Sequence, residues 1–329
     1  MRKVSWGVIS TANIGVKKVI PGMQMSEFIS VDAISSRNLE NAKSAAAALN
    51  IPKAYGSYEA LLADPDIEAI YNPLPNHLHV DWSIKCLEAG KHVLCEKPLG
   101  LDAKDAQRLV DAAANYPQLK VMEAFMYRFH PQWVQVKKWL EENAIGKIKA
   151  INSIFTYYND DPANVRNQVN IGGGGLLDIG CYNISISRFI TNEEPTRVIG
   201  TIDRDPEMQV DRLVSGIMQF GDIPSTFICS TQSYFQQGAH IIGETGRIEI
   251  DVPFNAPNDK PSLVHLCKND KKETVATNAV DQYMLEGEVF SRAIVMDKAV
   301  PTPLSDAINN MKVIDAIFES GEKGGWVTL

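Results

Sequence analysis

The sequence lacks the features that mark membrane, secreted and metalloproteins. No apolar run approaches the ~18 residues that a membrane span needs, and the first residues contain no signal-peptide pattern. Only five cysteines occur among 329 residues, with no CxxC pair and no spacing typical of a metal site. We therefore expect a cytoplasmic protein with reduced thiols and no bound metal.

An excess of positive charge is also missing. The formal net charge is −8, which argues against nucleic acid or an anionic membrane as a partner and leaves a small molecule. A hydrophobic content of 45% and a charged content of 22% are ordinary for a globular enzyme. The length favours two domains.

The chain begins with an apolar strand-like run, Lys3 to Ile9, followed by a turn of small residues and a helical pattern. This order is typical of a dinucleotide-binding unit, but the usual G-x-G-x-x-G is absent, and Ser10, Ala12 and Gly15 occupy the glycine positions. Small side chains still let backbone N–H groups approach a pyrophosphate. An ordinary strand-to-helix turn is the alternative. The residues of this turn predicted to contact the cofactor are Ser10, Thr11, Ala12, Asn13 and Ile14.

The second strand, Ser30 to Ile34, ends without the acidic residue that would bind the ribose 2′-hydroxyl of NAD. Ser36 and Arg37 follow it instead. A hydroxyl and a guanidinium are suited to a 2′-phosphate. We therefore predict NADP over NAD, with NAD still possible as a cofactor; a surface arginine that opens the next helix is the alternative reading of Arg37.

Strand and helix patterns alternate as far as Met122, which predicts a parallel sheet with crossover helices. The third strand leads into a loop with two prolines, and such loops form rigid pocket walls. His77 lies on this loop, but no further ligand at a workable spacing supports a metal there. The loop residues predicted to contact the cofactor are Pro73, Leu74, Asn76 and His79.

A short apolar run, His92 to Leu94, precedes Glu96, Lys97 and Pro98. Proline cannot continue a sheet ladder, so the strand must end here. Parallel α/β sheets bind ligands just beyond the carboxyl ends of their strands. Lys97 is therefore a candidate catalytic and cofactor-binding residue, and Glu96 a candidate cofactor contact. The alternative is an exposed lysine at a strand end.

The second half of the chain has separate strand-like runs joined mostly by loops, which predicts an antiparallel sheet. One stretch breaks the pattern. Four glycines, Gly172 to Gly175, precede a helix that reaches about Ile190. Asp178 and Tyr182 are four residues apart and so share one face of that helix. A helix N-terminal acid and a packed aromatic are the structural alternatives for these two residues.

Four stretches together resemble the Gfo/Idh/MocA family of oxidoreductases, namely GVISTANIG, AIYNPLPNHLHVDWSIKCLEAGKHVLCEKP, MEAFMYRFHP and GGGGLLDIGCYNIS. The likeness is greatest to the branch of NADP-dependent D-xylose dehydrogenases and dimeric dihydrodiol dehydrogenases. The resemblance implies an α/β fold with a doubly wound Rossmann sheet in residues 1–123. It also implies an α+β domain with an open, mostly antiparallel sheet in residues 124–329, which forms a homodimer or larger homo-oligomer. We expect the C-terminal helices to pack back onto the first domain.

The resemblance also assigns the chemistry. Lys97 falls on the family's E-K-P motif, and Asp178 and Tyr182 fall on its D-x-G-x-H/Y motif, where many relatives have histidine at the last position. A tyrosine acts as an acid or base when a cation favours its phenolate form. The hypothesis is that Tyr182 takes the hydroxyl proton, Lys97 stabilises the developing oxyanion, and Asp178 orients the substrate.

The softer candidates for substrate binding are Arg128 and Arg166. Arg128 contacts substrate or cofactor, or it joins the domains; Arg166 reaches a sugar hydroxyl, or it is solvated. The role of His240, near a turn in the second half, is left open.

Three classes of function follow. The favoured one is an NADP(H)-dependent oxidoreductase for a sugar or diol, of the aldose 1-dehydrogenase type, with a ketosugar reductase close behind. A non-catalytic NADP-binding regulator is the second class. An NAD-dependent glycosidase is the third, and the lack of a nearby carboxylate pair disfavours it.

Overall fold

The computed structural model of the chain describes residues 2–329, which form two compact units. The first unit runs up to Met126 and also contains Asp281–Ile308. The second unit comprises Tyr127–Val280 and Asn309–Leu329. Where the sequence predicts a division between residues 123 and 124, the compact units change over at Met126 and Tyr127.

Nine α-helices occur in residues 2–329, and most begin at a side chain that satisfies free backbone N–H groups. Asn38 accepts from Glu40 N at 2.9 Å, and Asp102 accepts from Asp105 N at 2.6 Å. The helices are α1 (Ile20–Gln24), α2 (Leu39–Leu49), α3 (Tyr58–Leu62), α4 (His79–Glu88), α5 (Ala103–Ala113), α6 (Pro131–Glu141), α7 (Cys181–Thr191), α8 (Gln282–Val295) and α9 (Leu304–Lys323). None of the helices in this part of the chain is both long and apolar enough to cross a membrane.

The first unit is built on a six-stranded parallel sheet. Its strands are β1 (Val4–Ile9), β2 (Ile29–Ser35), β3 (Lys53–Tyr55), β4 (Ala69–Asn72), β5 (His92–Glu96) and β6 (Val121–Ala124). They lie in the order β3-β2-β1-β4-β5-β6, and every neighbouring pair is parallel. This is the doubly wound arrangement, so the predicted α/β sheet is confirmed.

The second unit contains a nine-stranded sheet. Its strands are β7 (Ile148–Tyr158), β8 (Arg197–Arg204), β9 (Asp211–Phe220), β10 (Ile223–Ser230), β11 (Gln232–Gly243), β12 (Arg247–Ile250), β13 (Ser262–Lys268), β14 (Lys271–Thr277) and β15 (Val327–Thr328). Their order is β14-β13-β12-β11-β7-β10-β9-β8-β15. Only β7 and β10 pair in parallel, so the predicted, mostly antiparallel sheet is confirmed.

One face of this sheet is covered and the other carries exposed apolar side chains. On the covered face, Asn183 of α7 donates to Ser153 Oγ at 2.8 Å. On the opposite face, Ile217, Ile228 and Ile242 keep 36%, 39% and 42% of their surface exposed. These three lie on β9, β10 and β11 and point to the same side of the sheet as Ile154 and Ala150, with Thr226, Asn152 and His240 between them. We call this side the open face.

Two details of the elements were not visible in the sequence. Strand β10 ends at Ser230 and β11 begins at Gln232, and the fully buried Thr231 forms the connection between them. In addition, the first helix begins with a π-helical turn, Gly15–Val19, before α1.

Candidate functional site

The predicted pyrophosphate turn follows β1 directly. Ser10, at the first glycine position of the fingerprint, has φ +83°, the left-handed conformation that normally favours glycine. Its Oγ accepts a hydrogen bond from Ala12 N at 3.2 Å, which closes the turn. Thr11, Ala12 and Ile14 are half-buried and Asn13 is exposed. A serine thus adopts here the left-handed conformation that glycine usually takes in this turn.

The end of β2 presents a guanidinium. Ser36 is buried and its Oγ accepts from Asn38 N at 3.3 Å, so this hydroxyl supports the start of α2. Arg37 is exposed and hydrogen-bonds to Tyr58. Burial raises the pKa of Tyr58, which remains a neutral partner. Arg37 therefore offers its fork of donors at the carboxyl end of β2, where no carboxylate competes.

His79 has a structural position in the proline-rich loop. Its side chain is 1% exposed, with Nδ1 at 2.8 Å from the carbonyl of Pro98 and Nε2 at 2.6 Å from that of Leu74. Burial lowers its pKa to about 4, against the effect of the two carbonyls. At neutral pH the ring carries one N–H, which donates to one of these two carbonyls, and the buried ring packs between the two loops. Its role as a direct cofactor contact stays a prediction.

The other residues of that loop have mixed environments. Pro73 and Leu74 are buried, and Leu74 N donates to Asn72 Oδ1 at 3.3 Å. Asn76 and His77 are half-buried. Across residues 2–329 no cluster of His, Cys, Asp and Glu is arranged to hold a metal, and all five cysteines are buried and free.

The E-K-P turn at the end of β5 is held from three sides. Tyr71 Oη donates to Glu96 Oε1 at 2.5 Å, His79 contacts the carbonyl of Pro98, and Glu123 accepts from Leu99 N at 2.8 Å. The Lys97–Pro98 peptide bond is cis. Lys97 is half-buried. The turn therefore presents a lysine from a rigidly supported backbone at the carboxyl edge of the parallel sheet.

In the second unit, Asp178 is held through both carboxylate oxygens. Arg166 Nε lies 3.0 Å from Oδ1, and Tyr157 Oη donates to Oδ2 at 2.5 Å. Asp178 lies in a π-helical turn, Leu176–Gly180, that leads into α7. The structure thus joins two of the predicted substrate residues, Arg166 and Asp178, in one ion pair. That geometry suits a carboxylate that orients a hydroxyl group.

Tyr182 lies in the first turn of α7 and is 5% exposed. Its ring packs against Phe155, Tyr127 and Phe254, with centroid distances of 5.8, 6.0 and 5.4 Å. Aromatic neighbours on several sides fix the plane of the ring. The phenol is therefore well ordered, as a proton-transferring group needs to be.

Two family models match the chain. One, described as "Oxidoreductase family, NAD-binding Rossmann fold", matches residues 4–125, and the other, described as "GFO/IDH/MocA C-terminal domain", matches residues 133–249. The chain belongs to the Gfo/Idh/MocA family of oxidoreductases. The resemblance inferred from the sequence is confirmed, and the first unit is an NAD-binding Rossmann domain.

Relatives of this Gfo/Idh/MocA protein match most of its length. D-xylose 1-dehydrogenase (NADP(+)) 2 of Haloferax volcanii is 34% identical over 98% of this chain and 99% of its own. Trans-1,2-dihydrobenzene-1,2-diol dehydrogenase of Xenopus laevis is 36% identical over 74% of each chain. The crystal structure of KijD10, a 3-ketoreductase from Actinomadura kijaniata in complex with NADP and TDP-benzene, has a TM-score of 0.91 at 28% identity, covering 97% of this chain and 98% of that one.

Three residues of this Gfo/Idh/MocA chain that surround Glu96 escaped the sequence analysis. Tyr71 is fully buried, and Glu286 of α8 is 1% exposed with no hydrogen-bond partner for Oε1 among residues 2–329. Burial, and then Glu96, raise the pKa of Glu286 well above its ordinary value. Burial likewise raises the pKa of Tyr283. Glu286 lies far from Glu96 in sequence within an ordinary amphipathic helix, so no local pattern signals it.

Arg128 and His240 have environments that the sequence left open. Arg128 Nη2 donates to Ser185 Oγ at 2.7 Å, and its guanidinium lies 5.5 Å from the centre of the Phe189 ring. Both partners lie on α7, so Arg128 supports the helix that carries Tyr182. His240 is exposed on β11, opposite Asn152, in a surface depression of about 460 Å³.

Proposed function

We propose that this chain is an NADP(H)-dependent oxidoreductase that transfers a hydride between the nicotinamide and a carbon of a sugar or related diol. Oxidation of an aldose at C1 is the favoured reaction. The observation that carries the proposal is the supported E-K-P turn, which presents Lys97 at the carboxyl edge of an NAD-binding Rossmann sheet. Ligands bind at that edge in doubly wound sheets.

NADP is the proposed cofactor, held by the turn Ser10 to Ile14 and by Arg37. The left-handed Ser10 and the small Ala12 leave backbone N–H groups accessible to a pyrophosphate. Arg37 is exposed at the end of β2 and fits a 2′-phosphate. NADP⁺ when bound accepts the hydride, and NADPH returns it. The name of the Haloferax volcanii relative specifies NADP(+).

Side chains of the protein itself must accept and stabilise the transferred proton. In the proposal Tyr182 accepts the proton of the substrate hydroxyl, and the Lys97 ammonium favours the phenolate form of Tyr182 and stabilises the developing oxyanion. Asp178, held by Arg166 and Tyr157, orients the hydroxyl. That Lys97 and Tyr182 act on one substrate stays a prediction, which the variants below test.

Reduction of a ketosugar is the second candidate. It is favoured by the high similarity to KijD10, a 3-ketoreductase that binds NADP. The same residues serve the reverse direction, with Tyr182 giving its proton to the oxygen of the carbonyl group. Purified protein should therefore be given aldoses and diols with NADP⁺ or NAD⁺, and ketosugars with NADPH. The absorbance of the reduced nicotinamide is followed in each case.

Once an active combination of substrate and cofactor is found, variants of Tyr182 and Lys97 test the roles of these two residues. We expect Tyr182→Phe to lower kcat about 10²–10⁴-fold, the range of a lost acid–base group, with the Kd of NADPH unchanged in a fluorescence titration. Lys97→Met should lower kcat similarly, and the double variant should cost little more than either single change, because residues acting as one unit are not additive. Tyr158→Phe, at an exposed tyrosine, is the control.

Three results would contradict the proposal. Unchanged turnover in Tyr182→Phe would remove the phenol from the mechanism. Fully additive losses would show that Lys97 and Tyr182 act independently. Absence of hydride transfer to every sugar and diol, with NADPH still bound, would favour the non-catalytic regulator, an alternative that the presence of Lys97, Asp178 and Tyr182 together disfavours.

We also propose that the protein is a homodimer through the open face. Ile217, Ile228 and Ile242 are exposed apolar side chains on one side of this sheet, and exposed apolar residues with polar neighbours are common in protein–protein interfaces. A second copy is the expected occupant because a two-fold axis lets the same face serve both partners.

A further inference from the structure

The helix that carries Asp178 and Tyr182 has no capping side chain of its own. Its N-cap is Gly175, the last of four consecutive glycines, which has no side chain to bond to the first N–H groups. The first four N–H groups of a helix lack partners within it, and burying them unbonded is costly. A group from elsewhere in the fold must therefore satisfy them.

Asp211, the first residue of β9, provides that group. Its side chain is buried, with the residue 1% exposed. Its Oδ2 accepts from Leu176 N at 2.6 Å. A negative charge is favourable at a helix N-terminus. The strand thus contributes a cap that the local sequence lacks.

The glycine loop is shaped around this carboxylate. Gly174 has φ +123°, and a Cβ atom there would lie 1.9 Å from Asp211 Oδ1, so no other residue fits. A Cβ atom at Gly173 would lie 2.7 Å from the carbonyl oxygens of Arg166 and Gln168. A side chain is therefore excluded at two of the four glycines. Gly174 lies against the Asp211 carboxylate, and Gly173 lies against the backbone of the segment that carries Arg166.

Backbone hydrogen bonds then connect Asp211 to the ion pair of Asp178. Gly174 N donates to the Arg166 carbonyl at 2.8 Å, and Asp178 N donates to the Gly174 carbonyl at 3.1 Å. The Arg166 side chain in turn forms an ion pair with Asp178, with 3.0 Å between Nε and Oδ1. The anchored loop thus determines the position of both members of the pair.

We infer that Asp211 is a positioning residue for catalysis: its carboxylate fixes the start of the helix that carries Asp178 and Tyr182, and through the glycine loop it fixes Arg166. The inference rests on the proposed function, in which Asp178 and Tyr182 act on the substrate. Asp211 itself has no role in proton transfer. Its effect is to hold the reacting groups in place, where misplacement by about 1 Å costs on the order of 10²-fold in rate.

The ionisation of Asp211 adds an independent signature. Burial raises its pKa to about 6, although the N–H groups of Leu176 and Gly175 act in the opposite direction. The other groups that face it are the Arg204 guanidinium on β8 and the Cys229 thiol on β10. The bond from Leu176 N is to Oδ2, which accepts it in both protonation states, and the raised pKa favours the folded arrangement with Asp211 protonated below about pH 6.

Asp211→Asn in the full chain is the test, with Asp203→Asn as the matched control. Asp203 lies on the neighbouring strand β8, where its exposed carboxylate pairs with Arg212. We expect Asp211→Asn to lower kcat about 10–100-fold with the Kd of NADPH unchanged. Hydrogen exchange in the peptide Gly174–Tyr182 should be at least about 10-fold faster than in wild type. Protection of this peptide in wild type should depend on pH around the raised pKa of Asp211, and that dependence should be lost in Asp211→Asn, because asparagine does not titrate; a lower folded fraction alone would leave it in place.

The outcomes separate the possible failures. Faster exchange with unchanged kcat would overturn the positioning role, and unchanged exchange would overturn the cap itself. If wild type transfers no hydride to any sugar or diol, the proposed function fails, and the exchange experiment still decides the cap. If Asp211→Asn does not fold, exchange is measured in wild type. Protection of Gly174–Tyr182, corrected for intrinsic exchange, should rise as the pH falls from 7.5 to 5, because the closed state binds the Asp211 proton more tightly; constant protection would overturn the cap.

Discussion

The Tyr71 hydroxyl donates a hydrogen bond of 2.5 Å to Oε1 of Glu96, the residue directly before Lys97. Tyr71 is fully buried on β4, and burial, then Glu96, hold its pKa well above the ordinary value, so it acts as a neutral donor. The bond joins the ends of two adjacent strands at the edge where Lys97 lies. Much of the rigidity of the E-K-P turn therefore depends on an atom outside the motif.

Removing the hydroxyl group of Tyr71 should destabilise the first unit. We expect Tyr71→Phe to lower the free energy of unfolding by about 1.5–3 kcal/mol, the usual contribution of a hydrogen bond to a charged group. Urea denaturation followed by circular dichroism measures this. Tyr116→Phe, in the connection between α5 and β6, removes a hydroxyl from a half-buried tyrosine at the other edge of the sheet. Equal free energies of unfolding for the two variants would show that the hydrogen bond to Glu96 does not stabilise the fold.

Arg37 should decide the choice between NADP and NAD. Replacing Arg37 with Ala removes the guanidinium that we assign to the 2′-phosphate, so kcat/KM with NADP⁺ should fall about 10–100-fold, the effect of a lost charge-assisted hydrogen bond. The value with NAD⁺ should change less than about 3-fold, since NAD⁺ has no phosphate there. Arg108→Ala, at a surface pair with Asp81, is the control. A parallel loss with both cofactors would refute the assignment.

The hydrogen bond from Tyr157 to Asp178 should matter to turnover. In Tyr157→Phe, Oδ2 of Asp178 loses this donor, and the contact of Arg166 Nε with Oδ1 remains. We expect kcat/KM for the substrate to fall about 10-fold, equivalent to roughly 1.4 kcal/mol, with NADPH binding unchanged. Tyr158→Phe is a matched control on the same strand because that tyrosine is 66% exposed. If both variants match wild type, the bond has no part in catalysis.

Asp211 should give the unfolding free energy a specific pH dependence. An acid whose pKa rises on folding, here from 3.8 to about 6, binds its proton more tightly when folded, so the folded state loses stability as the pH rises through that range. Asparagine does not titrate. Between pH 4 and pH 7 the stability of Asp211→Asn relative to wild type should therefore increase by up to about 3 kcal/mol. Urea denaturation across this range measures it, and parallel curves would contradict the assignment.

The open face should hold two copies together. We expect the wild-type protein to sediment as a dimer at micromolar concentration, and Ile228→Asp to sediment as a monomer, because a buried unpaired carboxylate is strongly unfavourable in an apolar interface. Met25→Asp, at an apolar residue that is 65% exposed in the first unit, should remain a dimer. A monomeric wild type, or a dimeric Ile228→Asp, would exclude this interface.

The predictions from sequence succeeded where a pattern is local and repeated. β1, β2, β5 and β10 are apolar runs bounded by turns, and α2 begins at a capping asparagine, so their types and approximate bounds follow from neighbours along the chain. β3 was not predicted because it has three half-buried residues, too few for a period. β11 was missed because its glutamines, serine and glycine resemble a loop, and its ladder with β7 stabilises it.

The sequence by itself determined the fold class, the family and the candidate residues Lys97, Asp178 and Tyr182, because these are carried by short motifs and by the alternation of strand and helix. Tertiary structure alone decided what surrounds them. Tyr71, Tyr157, Asp211 and Glu286 come from separate strands and helices and reach Glu96, Asp178 or the glycine loop only after folding. A hydrogen bond or a raised pKa depends on distance and burial in space, and neither leaves a periodic trace along the chain.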